Sequence, residues 1–152
     1  MEPRSPLLRF QEYRSMEPRK LTRAAEDARK EIAEIIPETT TLPNQPLETL
    51  AEVIEEDKQN GYKVYGGELL ATKIGQLASK MNIGIGAGWR WRLVYWSKRS
   101  IILRNEHKRG YLIPLSEDIT LNPGGVLGVG FYAYIDNEPT LSQGTAAITI
   151  VP

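Results

Sequence analysis

The 152-residue chain has no cysteine and a single histidine, His107. The missing thiols exclude a disulfide scaffold, a thiolate zinc site, an iron–sulfur cluster and a cysteine nucleophile. One histidine excludes a metal site built from several imidazoles. Long apolar runs are absent too, and none approaches the ~20 residues that cross a bilayer. The opening residues, MEPRSPLLRF, lack the apolar core of a secretory signal. These absences lead to the expectation of a soluble protein made in a cytoplasm. Phosphate-cradling loops are missing as well. The glycines at 84–88 and 124–130 run into strand-like sequence, without a GxGxxG pattern or a following Lys-Ser/Thr.

What is present is charge, balanced in total and segregated along the chain. Nineteen basic residues offset nineteen acidic ones. By segment the net charge is +3 over 1–25, −7 over 26–60, +8 over 61–110 and −4 over 111–152. Blocks of alternating sign attract one another, either within one chain or between neighbouring copies.

Residues 1–19 read as an extended arm. Pro3, Pro6 and Pro18 break any helix, and Leu7, Leu8, Phe10 and Tyr13 are too few to bury a core. Arg4, Arg9, Arg14 and Arg19 recur every five residues, and the tetrapeptide MEPR at 1–4 recurs at 16–19. Fully extended, such an arm reaches roughly 60 Å. Ordering it would cost on the order of 20–40 kcal/mol, which only a large contact surface offsets.

Helical spacing of Leu21, Ala24, Ala25, Ala28, Ile32, Ile35 and Ile36 predicts a helix over 20–36. Thr22 suits the cap of a shorter version, and Pro37 stops it. A proline-rich linker follows at 37–46. A second short helix is predicted over 46–59, with Leu47, Leu50, Ala51 and Ile54 on one face and Glu52, Glu55, Glu56 and Asp57 on the other. Asn60 and Gly61 would end it. A short strand at 62–65 and a third helix at 68–81 complete this part.

From residue 83 the pattern becomes that of strands, predicted near 89–96, 100–105, 110–115, 126–135 and 145–151. In the first, Trp89, Trp91, Leu93 and Tyr95 share one face, and Arg90, Arg92, Val94 and Trp96 the other. The run 126–135 is apolar on both faces, as in a central strand. The fold class expected is α+β: an arm, two or three short helices, and a C-terminal antiparallel β-sandwich or small barrel. Its divisions are an arm (1–19), a helical segment with linker (20–60) and a compact domain (61–152).

No catalytic constellation accompanies this architecture. His107 sits in a polar loop between Glu106 and the cations Lys108 and Arg109, without a nucleophile or orienting partner nearby in sequence. Glu117, Asp118, Asp136 and Glu138 lie in loops without the spacing of a calcium loop. No catalytic residue, metal site or cofactor is expected. The interleaved Trp89, Arg90, Trp91, Arg92 and Trp96 suit base stacking, but the same alternation suits core packing beside an ionic interface. With Tyr95 these residues are the candidate oligomer interface.

An arm (1–19), a proline-rich linker (37–46) and the terminal run GGVLGVGFYAYIDNEPTLSQGTAAITIVP resemble the build of tailed-bacteriophage capsid cement, or decoration, proteins. The resemblance implies a non-enzymatic protein on the outside of a virion head. Made in the host cytoplasm, it would bind the major capsid protein and sit as a dimer or trimer on a local symmetry axis. It implies no membrane and no specific nucleic acid. The arm residues Arg4, Leu7, Leu8, Arg9, Phe10, Tyr13, Arg14 and Arg19 would make the partner contacts. The alternatives are a head–tail connector or tail protein, and a nucleic-acid- or glycan-binding β module.

Overall fold

Leu93 is buried on one side of its strand, and Val94 and Trp96 on the other. A strand covered on both faces must lie between two layers. The computed structural model of the chain describes residues 16–86, 88–142 and 146–152 and contains both layers. The first half of the chain forms β1 (Pro18–Lys20), α1 (Arg23–Ala33), a 3-10 turn (Leu47–Thr49), β2 (Glu52–Asp57), β3 (Tyr62–Gly66) and α2 (Glu68–Lys80). Then come β4 (Arg90–Trp96), β5 (Ile101–Ile102), β6 (Gly110–Pro114), β7 (Ile119–Asn122) and β8 (Gly125–Leu127). The chain finishes with β9 (Phe131–Ile135), β10 (Thr140–Leu141) and β11 (Ala146–Val151).

A seven-stranded sheet runs in the order β1-β9-β6-β11-β4-β3-β2, and a four-stranded sheet in the order β5-β10-β7-β8. Every pairing is antiparallel. On one face of the larger sheet, Ile32, Ile36, Leu70, Ile74 and Leu77 cover Tyr65, Leu93, Ile113 and Ile148. On the other face, Val64, Val94, Trp96, Leu112 and Ala147 meet Ile119, Leu121, Leu127 and Leu141 of the smaller sheet. The fold is α+β, mostly β, with two helices and two antiparallel sheets among the described residues.

Helix α1 begins at its cap: the Thr22 hydroxyl accepts the Ala25 N–H at 3.2 Å. It cannot start at residue 20, because 18–20 are already strand. Its apolar stripe joins the same core as α2 and the large sheet, so this segment and the β-rich part share one interior. Arg29 is buried on the inner side of α1. It pairs with Glu26 at 2.7 Å and donates to the Leu115 carbonyl, fixing the helix to the chain just past β6.

Two expected elements are different. The helix predicted over 46–59 is not formed; residues 52–57 are a strand. Asn60 and Gly61 turn a hairpin instead of ending a helix, with Gly61 at φ +68°. Both the backbone N–H and the side-chain amide of Asn60 donate to the Asp57 carboxylate. Val53 and Ile54 are β-branched, and pairing with β3 outweighs the weak helical stripe. The continuous strand predicted over 126–135 is split into β8 and β9, which belong to different sheets. Gly130, at φ +92°, lets the chain turn between them. Phe131 and Tyr134 are consequently exposed, not sandwiched. The predicted strand over 100–105 shrinks to two residues, and the short strands β7 and β10 were not predicted.

Of the arm, residues 1–15 lie outside the described residues. The remainder belongs to the body. Met16 is buried against the smaller sheet's core, and β1 pairs with the outer side of β9 through Pro18↔Ala133, Arg19↔Tyr132 and Lys20↔Phe131.

Candidate interaction surfaces

Trp91 and Tyr95 of β4, and Trp89 just before it, lie on the helical side of the large sheet, where all three are half-buried. Trp96 lies on the opposite face, fully buried, its indole Nε1 donating to the Ser142 carbonyl at 2.9 Å. Arg90 and Arg92 alternate onto that opposite face and are exposed. The six residues of the candidate interface therefore divide into an aromatic half-buried set, one core anchor and two surface cations.

The register extends the aromatic set beyond its own strand. Trp91 lies opposite Ile150, Ile150 opposite Tyr111, and Tyr111 opposite Tyr134. Ring centroids are 5.6 Å apart for Trp89 and Tyr111, 6.1 Å for Tyr111 and Tyr132, and 5.3 Å for Tyr111 and Tyr134. The Arg109 guanidinium lies 5.9 Å from the Trp89 ring. The result is an aromatic row, half-buried against the helical core at Trp89, Trp91, Tyr111 and Tyr132 and 42% exposed at Tyr134. Tyr111, Tyr132, Tyr134 and Arg109 were missed in the sequence. Cross-strand register alone brings them together, although alternation in YLIP and FYAYI marked their strands.

A second surface is the outer edge of β2. All six of its residues are exposed, four of them acidic: Glu52, Glu55, Glu56 and Asp57. The acidic block, this edge included, is partly matched within the chain. Glu31 pairs with Lys73 at 3.1 Å, Glu38 with Lys63 at 2.7 Å, and Glu55 with Arg92 at 3.6 Å. Thus the −7 and +8 segments meet in part inside one chain. Bonding to Glu38 holds Lys63 above its ordinary value. Burial, reinforced by the same carboxylate, pushes the Tyr65 phenol up.

The loop carboxylates serve as local clasps. Glu138 accepts the Asn105 N–H at 2.8 Å, which holds it below the usual carboxylate range. Asp118 accepts the Val129 N–H at 2.9 Å. Buried Asn105 donates to the carbonyls of Ile135 and Asn137 and accepts the Arg109 N–H, forming the turn that exposes His107. Among the described residues no three metal-ligating side chains converge, and no helix is long and apolar enough to cross a membrane. Two open hollows, beside Pro37 and Leu50 and beside Gly75 and Ile83, have no titratable side chain in their linings.

Of the expected arm contacts, Arg4, Leu7, Leu8, Arg9, Phe10, Tyr13 and Arg14 lie outside the described residues. Arg19 is an exposed residue of β1, opposite Tyr132. Comparison with known proteins found no matching family model, no matching curated protein and no matching solved structure.

Proposed function

We propose that this chain is a non-enzymatic structural protein that binds and stabilises a phage capsid shell, a cement protein in role. The observation that carries the reading is where the chain enters its body. Met16 and β1 anchor it at an edge of the large sheet, and the fifteen residues before them include three arginines and most of the arm's apolar side chains. An anchored segment of that composition suits contact with a neighbour. The resemblance of arm, linker and terminal run to decoration proteins supports reading that neighbour as the major capsid protein of a virion head. The β-rich body would associate as a dimer or trimer on the capsid exterior, through the row from Trp89 to Tyr134.

The test is co-sedimentation with purified phage heads lacking the protein. The full chain is expected to bind and to raise the temperature at which the heads release DNA. A chain beginning at residue 16 is expected to do neither. Absence of binding by the full chain overturns the reading. A connector or tail role predicts ring-sized native masses instead. The half-exposed aromatic row also supports a second reading, a glycan-binding module. That reading requires saturable glycan binding that Trp89→Ala abolishes.

A further inference from the structure

We infer that the outer edge of β2 accepts residues 7–14 of a second copy of this chain as an added strand. This rests on the reading that the N-terminal residues bind a neighbour, and it names the surface they bind.

β2 ends the large sheet, and among the described residues no strand pairs with its outer side. It is six residues long, with an irregularity in its pairing at Ile54 between Val53 and Glu55, and Val53 is 44% and Ile54 65% exposed. An open edge of this length is a template for another strand: main-chain hydrogen bonds supply affinity, and side chains choose the partner. Here the side chains reject one obvious partner. A second β2 would set carboxylates against carboxylates, and like charges directly opposite are destabilising. The edge therefore selects a strand with basic and apolar side chains.

Residues 7–14, LLRFQEYR, fit that description. They are free of proline, which could not donate to a ladder, whereas Pro3 and Pro6 lie just before them. Leu7, Leu8, Phe10 and Tyr13 can cover Val53 and Ile54. Arg9 and Arg14 can meet Glu55, Glu56 and Asp57. Glu12 is the one opposing charge in the segment.

Geometry decides that the donor is another copy. β1 and β2 occupy opposite edges of the seven-stranded sheet. Six interstrand spacings separate them, about 29 Å. Tyr13 is three residues from Met16 and can stand at most about 10 Å from it. The segment cannot lie along the β2 of its own chain.

The absence of native cysteine makes the test clean. Chains with a single cysteine at Leu8, Phe10 or Glu12 are mixed with chains carrying Ile54→Cys and oxidised. A crosslinked heterodimer is expected for at least one pair, and none with a control cysteine at Ser100. In sedimentation, the unmodified full chain is expected to self-associate at about 100 µM in low salt. Glu55→Lys/Glu56→Lys/Asp57→Lys should weaken that association about tenfold or more. Mixing this variant with Arg9→Glu/Arg14→Glu should restore it. Circular dichroism melts confirm that the variants stay folded.

The outcomes separate the two claims. If removing residues 1–15 abolishes association but the β2 reversal does not, β2 is not the acceptor and the arm reading stands. If the chain beginning at residue 16 associates as well as the full chain and also binds heads, the arm reading fails as well. A full chain that stays monomeric at that concentration overturns the β2 inference, while head binding continues to judge the shell reading separately.

Discussion

Tyr65 donates its phenolic hydroxyl to Oε1 of Glu38 at 2.5 Å, and so ties the segment after α1 to β3, next to the edge strand of the large sheet. Lys63, two residues earlier on β3, holds the other oxygen at 2.7 Å. Glu38→Ala removes the acceptor of both groups, one of them on an almost wholly buried ring. It is expected to cost about 1–3 kcal/mol, against about 0.5–1.5 kcal/mol for Tyr65→Phe, because the conservative change leaves no donor without its partner. Urea denaturation of both variants measures the difference.

Arg29 is expected to be the most sensitive charged position on α1. Its guanidinium is almost completely enclosed and bonded to Glu26 and the Leu115 carbonyl. Arg29→Ala is expected to destabilise by about 2–4 kcal/mol, since it strands a carbonyl and leaves Glu26 without its counter-ion. Glu26→Gln should cost less, because the carboxylate is partly hydrated. Thermal melts of the two variants test this order.

Stability is expected to fall in acid. Glu26 is held below 4.5 chiefly by Arg29, and Glu34 chiefly by the backbone N–H of Thr41. A carboxylate depressed in the folded state contributes stability above its ordinary value, and that contribution is lost as pH falls through the depressed one. The loss should begin near pH 4.5 and deepen below it. Glu34→Gln should flatten the slope of unfolding free energy against pH in that range. Lys63 acts in the other direction: its contribution is complete below 10.5 and lost as pH rises through its raised value. An unfolding series from pH 2 to 7 with an alkaline arm reads both limbs.

Trp96 joins the two sheets as volume and as a donor. Trp96→Phe removes the bond to the Ser142 carbonyl and part of a ring that is 1% exposed. A loss of about 2–4 kcal/mol is expected, with native-like circular dichroism. Trp89→Ala, on the half-exposed row, should cost less in stability and more in any association that uses the row.

Elements with one dominant local signal were legible in the sequence. Helix α1, with its Thr22 cap, and β4, with its alternating faces, needed no long-range information, although the helix ends at Ala33 and not at Pro37. Hairpin β2–β3 was misread because four acids between apolar residues imitate a helix with one solvated face, while the Asn60 and Gly61 turn suits a cap and a hairpin equally. The split at 128–130 was hidden because the apolar pattern continues through it, and only the destination of each half differs. The aromatic row depends on the pairing of β6 with β9 and β11, which no local pattern encodes.

The three-residue pairing of β1 with β9 has a mechanical consequence. Its ladder bonds run across the strands, and Leu21 adds one more to the Gly130 carbonyl at 3.0 Å. Tension drawn through the N-terminal residues along β1 loads these bonds together, in shear, instead of peeling them one after another. Met16, wedged into the core at the point of entry, would have to be extracted before the strand could slide. A short edge strand can thus anchor a tether against a pull that its length alone would not suggest.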